Sequence, residues 1–212
     1  MKLLLVRHGE SRGNLEGKWQ GWLDEPLTVQ GREQAGRLAF RLQRWAETNS
    51  EAITAVHSST LTRAAQTADI LARHCGTPLV LDGRLRERNV GALQGLTWPE
   101  LEEQHPDVVM IMRQRWAVLN VPGGETTLEL SERVWQGMQF VIERTESMNA
   151  TAAAVVSHGG ALNAYLNRIV GRDPKEPFIF RLGNSSLSIV EIRDGRPRIS
   201  LVNDICHLDG SA

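Results

Sequence analysis

The chain has 212 residues, 41% of them hydrophobic, enough for one sizeable core or a core with a small cap. With 24 basic and 25 acidic residues its formal net charge is −1, so the composition gives no reason to expect nucleic acid or an anionic membrane as a partner. The two cysteines, Cys75 and Cys206, show no CxxC spacing, and the four apolar residues Leu3–Val6 ahead of Arg7 are too few for a signal peptide or a membrane span; reduced thiols in a cytoplasmic protein are the expectation.

In chain order, Leu3–Val6 predicts a short buried strand. Gly31–Glu47 carries Ala35, Leu38, Ala39, Leu42, Trp45 and Ala46 as the stripe of an amphipathic helix. Ile53–Val56 predicts a second strand, and Leu61–Arg73 a helix stopped by Gly76-Thr77-Pro78. Leu79–Leu81 predicts a third strand. The stretch 96–121 breaks the alternation and predicts a small helical cap over one end of the sheet. Glu125–Met148 reads as a long helix with Leu130, Val134, Met138, Val141 and Ile142 inward, and Ala152–Val156 as a fourth buried strand. Ser186–Arg193 and Arg198–Asn203 read as closing strands joined through Asp194-Gly195-Arg196-Pro197, a hairpin signal. Together these predict an α/β fold: a three-layer sandwich, a mostly parallel sheet with helices on both faces, residues 1–212 forming a single domain.

Ligands of open α/β sheets bind beyond the carboxyl ends of the strands. The four predicted parallel strands are followed there by Arg7-His8-Gly9-Glu10-Ser11, by His57-Ser58-Ser59 with Arg63 one helical turn on, by Leu85-Arg86-Glu87, and by Ser157-His158-Gly159-Gly160. Two His and two Arg delivered to one rim are hard to explain as packing, since Arg is rarely buried without a partner.

These segments resemble the motifs of the histidine phosphatase superfamily, the phosphoglycerate mutase-like proteins. Leu5-Val6-Arg7-His8-Gly9-Glu10-Ser11 is similar to the signature, with Asn14 where the family usually has Asn. Pro26-Leu27-Thr28 with Gly31, Ser58-Ser59-x-Leu61-x-Arg63-Ala64-x-Gln66-Thr67-Ala68, Leu85-Arg86-Glu87 with Gly91 and Gly95, Pro122-Gly123-Gly124-Glu125, and Ser157-His158-Gly159-Gly160 follow in the family's order.

The resemblance implies that His8 is the nucleophile and becomes a phosphohistidine. The residue types suit that chemistry, because phosphoryl transfer needs positioning and charge stabilisation above all. A neutral imidazole attacks at neutral pH without a separate base. A loop carbonyl would hold the other ring nitrogen protonated, and Gly9 would let the backbone approach the ligand. Arg7 and Arg63 would grip the phosphate oxygens through forked hydrogen bonds, joined by His158, the Asn14 amide and the Gly159 N–H at a helix start. Glu87 would protonate the leaving oxygen and then take a proton from water.

Each residue also has a purely structural reading. Arg7 or Arg63 would pair with Glu10 or Asp69. Glu87 would belong to a solvated cluster with Arg84, Arg86 and Arg88, His158 would cap the next helix, and Ser58 and Ser59 would cap the one before it. Glu125, read as beginning a helix, fits structure and function equally. His57, His74 and His105 have no motif partner and read as structural. No H-E-x-x-H and no clustered Asp or Cys ligand set suggests a metal, so neither metal nor cofactor is expected.

Three functions follow: a phosphatase acting on a small-molecule phosphomonoester, a cofactor-dependent phosphoglycerate mutase, and a non-catalytic phospholigand-binding protein. Having every expected catalytic residue disfavours the third. Glu87-Arg88-x-x-Gly91-Ala92-Leu93-Gln94-Gly95 looks mutase-like, but Asn89-Val90 replaces the mutases' His-Tyr pair. The stretch between Gly95 and Pro122 is also short beside the mutases' inserted region, and the chain ends soon after Asn203. A smaller lid favours hydrolysis. The candidate substrates are phosphoserine, 3-phosphoglycerate, sugar phosphates, fructose 2,6-bisphosphate and α-ribazole phosphate, which the sequence does not separate. Specificity is expected in the cap, at Trp98, His105, Met110, Met112, Arg113 and Trp116, although Met and Trp fit the cap's own core slightly better. The tail Asn203–Leu208 would close over the pocket with His207 or, the stronger reading, pack on the surface or at an interface; a homodimer is left open.

Overall fold

Residues 1–115 and 121–209 are described in a computed structural model. Six strands form one sheet in the order β3-β2-β4-β1-β5-β6: β1 (Lys2–Arg7), β2 (Ile53–Ser58), β3 (Leu79–Leu81), β4 (Ala152–Ser157), β5 (Leu187–Arg193) and β6 (Arg196–Asp204). The first four run parallel, β5 is antiparallel to β1, and β6 is antiparallel to β5. The sheet is therefore mostly parallel, as its alternating strands and helices imply.

Among the described residues seven α-helices accompany it: α1 (Arg12–Leu15), α2 (Val29–Asn49), α3 (Thr62–Cys75), α4 (Trp98–Gln104), α5 (Pro106–Arg115), α6 (Thr127–Ser147) and α7 (Gly159–Ile169). The apolar run of β1 serves two cores because alternate side chains leave opposite faces of a strand. Leu3 and Leu5 meet Val134, Met138 and Val141 of α6 and Leu162 and Tyr165 of α7. Leu4 and Val6 meet Leu38 and Leu42 of α2 and Ala64, Ala68 and Leu71 of α3. A third, smaller cluster joins Leu101 of α4 with Val108, Val109 and Met112 of α5, backed by Leu93 and Val121.

Local chemistry sets the boundaries. The Thr28 hydroxyl caps α2 by accepting from Gly31 N–H at 2.9 Å. Gly76, at φ 65°, ends α3 in the left-handed conformation that costs glycine least. The β5–β6 turn is Asp194-Gly195, both at positive φ, a two-residue hairpin turn matched to the strand twist. The long sixth helix starts later than its sequence suggests. Thr126 and Glu129 form a capping box, so Thr126 is the N-cap and Glu125 stands outside the helix. No helix among the described residues is long and apolar enough to cross a membrane.

Candidate active site

β1 and β4 are neighbours with Arg7 opposite Ser157, so the next residues, His8 and His158, leave the sheet side by side. Their ring centroids are 5.0 Å apart at 60°. His8 is 3% exposed and His158 is fully buried. Burial first, then the charges of Arg63 and Arg7, hold the His8 pKa well below that of a free histidine, and His158 is held down by burial and the same cations. Both rings are therefore neutral at neutral pH. His8 Nδ1 donates to the Gly9 carbonyl at 2.7 Å, leaving Nε2 with the lone pair.

The room at Gly9 serves the protein rather than a ligand. A Cβ there would strike the Gly31 carbonyl, and one at Gly31 would strike the Glu10 carbonyl. The two glycines let the signature loop lie directly on the start of α2.

Arg63, in the first turn of α3, is 1% exposed. Its two Nη groups donate to the carbonyls of Leu23 and Gly21, each at 2.8 Å. Arg7 donates through Nη1 to Leu182 O at 2.5 Å. The Nε of each guanidinium is buried without a hydrogen-bond partner. The ordinary ion pairs go elsewhere, since Asp69 bonds Arg73 and Glu10 accepts from Thr28. Burial pushes Arg63 down to about 10, against the opposing pull of Glu87 and Asp24, and lowers Arg7 as well. Both remain cations at neutral pH, and desolvated cations of this kind favour an anion at the same place.

Glu87 does not pair with its flanking arginines in a solvated cluster. Arg84 pairs with Asp82, and Arg86 donates to Thr60. The Glu87 carboxylate reaches the start of α7 instead, accepting from Gly160 N–H at 2.9 Å and Ala161 N–H at 3.0 Å, and it accepts from Arg88 N–H at 2.8 Å. A Cβ at Gly160 would collide with that carboxylate, which explains the second glycine of Gly159-Gly160. The Glu87 carbonyl accepts from Trp22 Nε1 at 2.7 Å and Arg133 Nη2 at 3.1 Å. Arg133 also donates to the carbonyls of Arg84 and Arg86, and pairs with both oxygens of Glu125 at 2.7 Å. Glu125 thus braces the Glu87 loop through Arg133, a residue that no motif marked.

His158 sits at the N-cap position of α7 without a side-chain capping bond. Its Nε2 lies 2.8 Å from Ser59 Oγ, while Nδ1 is buried with no partner. Ser59, read as a helix cap, does accept from Leu61 N–H at 3.2 Å, and it also fixes the His158 ring. Asn14 Oδ1 accepts from the Ser11 N–H at 3.1 Å and from Asn184 Nδ2 at 3.1 Å, which leaves its NH2 for a ligand.

Arg7, His8, Asn14, Arg63, Glu87 and Gly159 line one cavity of about 500 Å³, and the His158 ring meets that of His8 edge-on. Thus the seven predicted residues come together. The outer cavity corrects the sequence reading. Trp98, His105, Met110, Met112 and Arg113 are absent from its lining; Met112 and Trp98 belong to the small cluster of α4 and α5, and Arg113 pairs with Glu102. Trp116 lies outside the described residues. The wall comes from Trp19, Gln20, Arg88, Val90, Phe178 and Phe180 among others. Their signal was weak, because they lie in irregular segments without periodicity. The tail packs away from this cavity, where Arg41 pairs with Asp204 and Arg37 donates to Leu208 O, both from α2.

This arrangement of neutral histidines and buried cations on a mostly parallel sheet has close parallels. The chain belongs to the histidine phosphatase superfamily (branch 1), whose family model matches residues 3–205, and it is a phosphatase-class enzyme of that superfamily. It is 33% identical over 217 aligned positions to the probable phosphoglycerate mutase GpmB of Escherichia fergusonii, covering 100% of this chain and 97% of that protein. It is 34% identical over 209 positions to a metal-independent phosphoserine phosphatase of Arabidopsis thaliana, covering 98% and 83%. Among solved structures, Bacillus stearothermophilus YhfR superposes with a TM-score of 0.86 at 28% identity, covering 98% of this chain and 99% of that one.

Proposed function

We propose that this protein is a metal-independent phosphomonoesterase that hydrolyses a small phosphorylated metabolite through a phosphohistidine at His8. The observation that carries this reading is the His8 ring, neutral, with Nδ1 committed to Gly9 O and Nε2 facing a cavity lined by Arg7 and Arg63. In the first step Nε2 attacks phosphorus, the P–O bond to the substrate alcohol breaks, and Glu87 gives its proton to the leaving oxygen. Glu87 is the one carboxylate among the described lining residues, and its three N–H bonds hold it in place. In the second step water attacks the phosphohistidine, Glu87 recovers a proton from it, and inorganic phosphate leaves. Arg7, Arg63, the NH2 of Asn14 and the Gly159 N–H hold the oxygens of the transferring group, with the His158 ring beside His8, so positive charge is supplied without a metal.

A screen of phosphorylated metabolites for phosphate release tests this, run beside an assay for conversion of 3- to 2-phosphoglycerate. Glu87→Gln should slow an alkyl phosphate far more than p-nitrophenyl phosphate, whose leaving group needs little help. Equal loss on both would remove Glu87 as the acid. The mutase reading shares the first step and draws on the likeness to GpmB across the whole chain. Isomer formation outrunning phosphate release would favour it.

A further inference from the structure

β5 runs antiparallel to β1, with Leu187 opposite Val6. The residues just before Leu187 therefore lie beside Arg7 and His8, beyond the carboxyl end of β1. An antiparallel strand brings its leading residues to the rim where parallel strands bring their trailing ones. Leu182–Ser186 is accordingly bonded to the signature loop along its length. Ser186 O accepts from Arg7 N–H at 3.2 Å, Ser185 N–H donates to His8 O at 3.1 Å, and Leu182 O accepts from Arg7 Nη1. Ser185 stands at φ 54° and Asn203 at φ 57°, left-handed values that cost a residue with a Cβ. Asn203 Oδ1 accepts from Gly183 N–H at 2.7 Å and so holds the segment from the far side.

Asn184, in the middle of this segment, connects it to the ligand side. Its Nδ2 donates to Asn14 Oδ1 at 3.1 Å and to His8 O at 3.2 Å, one proton for each. Two backbone groups fix which end of each amide is which. His8 O only accepts, so the Asn184 atom facing it is the NH2. Ser11 N–H only donates, so the Asn14 atom facing it at 3.1 Å is Oδ1. Turning the Asn14 amide over would set its NH2 against two donors, Ser11 N–H and the Asn184 NH2. The Ser11 hydroxyl adds less, because its one proton is shared between Asn14 Oδ1 at 2.9 Å and Gln20 Oε1 at 2.8 Å. Removing Asn184 leaves His8 O bonded to Ser185 N–H, so the loss falls on Asn14.

We propose that Asn184 is a positioning residue of the phosphate site, holding the Asn14 amide with its NH2 toward the oxygens of the transferring group. Asn184 lies outside the cavity lining and Asn14 within it, so the effect passes through Asn14. This rests on the phosphatase reading for where phosphate sits, but oxyanion binding tests it without turnover. The experiment is a double-mutant cycle of Asn14→Ala and Asn184→Ala. It is read as KM and kcat for an alkyl phosphate that the parent turns over, and as the calorimetric Kd of tungstate, whose stoichiometry counts the folded sites. In the parent background Asn184→Ala should raise KM and tungstate Kd about tenfold, the worth of one hydrogen bond to an anion. A loss of folded enzyme lowers only the apparent kcat. In the Asn14→Ala background the same change should cost less than about twofold, because the amide it positions is gone. Asn184→Leu, of nearly the same size and without an N–H to give, runs the same cycle if the alanine variant does not fold. Equal costs in both backgrounds, or a fall in kcat with KM and Kd unchanged, would overturn the role of Asn184 while leaving the phosphatase reading intact. A non-additive cycle for tungstate in a protein that turns over no phosphomonoester would uphold Asn184 and overturn the phosphatase reading.

Discussion

Nδ1 of His8 lies 2.7 Å from the carbonyl oxygen of Gly9. A carbonyl only accepts, so Nδ1 carries the proton and Nε2 the lone pair. Burial and the charges of Arg63 and Arg7 hold the ring neutral well below the ordinary histidine range. Imidazole 15N shifts of the free enzyme should therefore report a neutral ring protonated at Nδ1 as the pH is lowered past about 6.5. An imidazolium signal at that pH, or an Nε2–H tautomer, would contradict the assignment.

Arg63 serves both the ligand and the backbone. Its Nη groups hold the carbonyls of Gly21 and Leu23, and its buried charge faces the cavity. Arg63→Lys keeps a charge but loses the fork, so kcat/KM should fall by about 10²-fold or more, as for loss of a preorganised donor. Activity of the unaltered protein should survive EDTA. Loss on chelation with recovery on adding Mg²⁺ or Zn²⁺ would show that these cations do not suffice.

Arg133 touches none of the reacting groups directly, yet it holds three carbonyls of the Glu87 loop and both oxygens of Glu125. Arg133→Met should lower kcat more than it raises KM for an alkyl phosphate, with a smaller effect on p-nitrophenyl phosphate. It should also cost stability of about 3 kcal/mol, because Glu125 is left unpaired in a partly buried place. Equal losses on the two esters would make its role purely structural.

His57 is fully buried on β2, with neither ring nitrogen hydrogen-bonded and its ring 6.3 Å from that of Phe140. Burial first, then the charge of Arg144, pushes its pKa down to about 4, against a partial pull from Asp82. Because the folded-state value lies below the unfolded one, the unfolded chain binds a proton between pH 6.5 and 4 that the native protein refuses. Stability is whole above about pH 6.5 and declines as pH falls toward 4, by at most about 3 kcal/mol from this residue. His8 and His158 act in the same direction. Urea midpoints for the parent and His57→Leu between pH 8 and 5 check this. The variant should show a shallower decline, and parallel curves would remove His57 as a contributor.

The apolar runs of β1, β2 and β4 and the helix stripe around Leu38 and Leu42 were legible because their periodicity records which face is buried. The His, Arg and Glu of the site were legible because each follows a strand or opens a helix. The outer walls were not: Phe178 and Phe180 lie on irregular backbone, where nothing local tells a wall from a surface loop. The true start of α6 was hidden because Glu125, a favourable first-turn residue, is used by Arg133 instead. Met112 and Trp98 read as ligand contacts or, slightly better, as a small core of their own, because both uses draw on the same residue types, and they lie in the cluster of α4 and α5.

The central claim is that phosphate passes through His8, and trapping the intermediate tests it most directly. The enzyme is mixed with a turned-over phosphomonoester, quenched within the first turnover in alkali, where phosphohistidine survives, and digested for mass spectrometry. The account predicts a phosphate adduct on the peptide carrying His8, labile to acid and absent from His8→Ala, which should also lose turnover. An adduct on another residue, or His8→Ala hydrolysing the ester at more than about a hundredth of the parent rate, would contradict it.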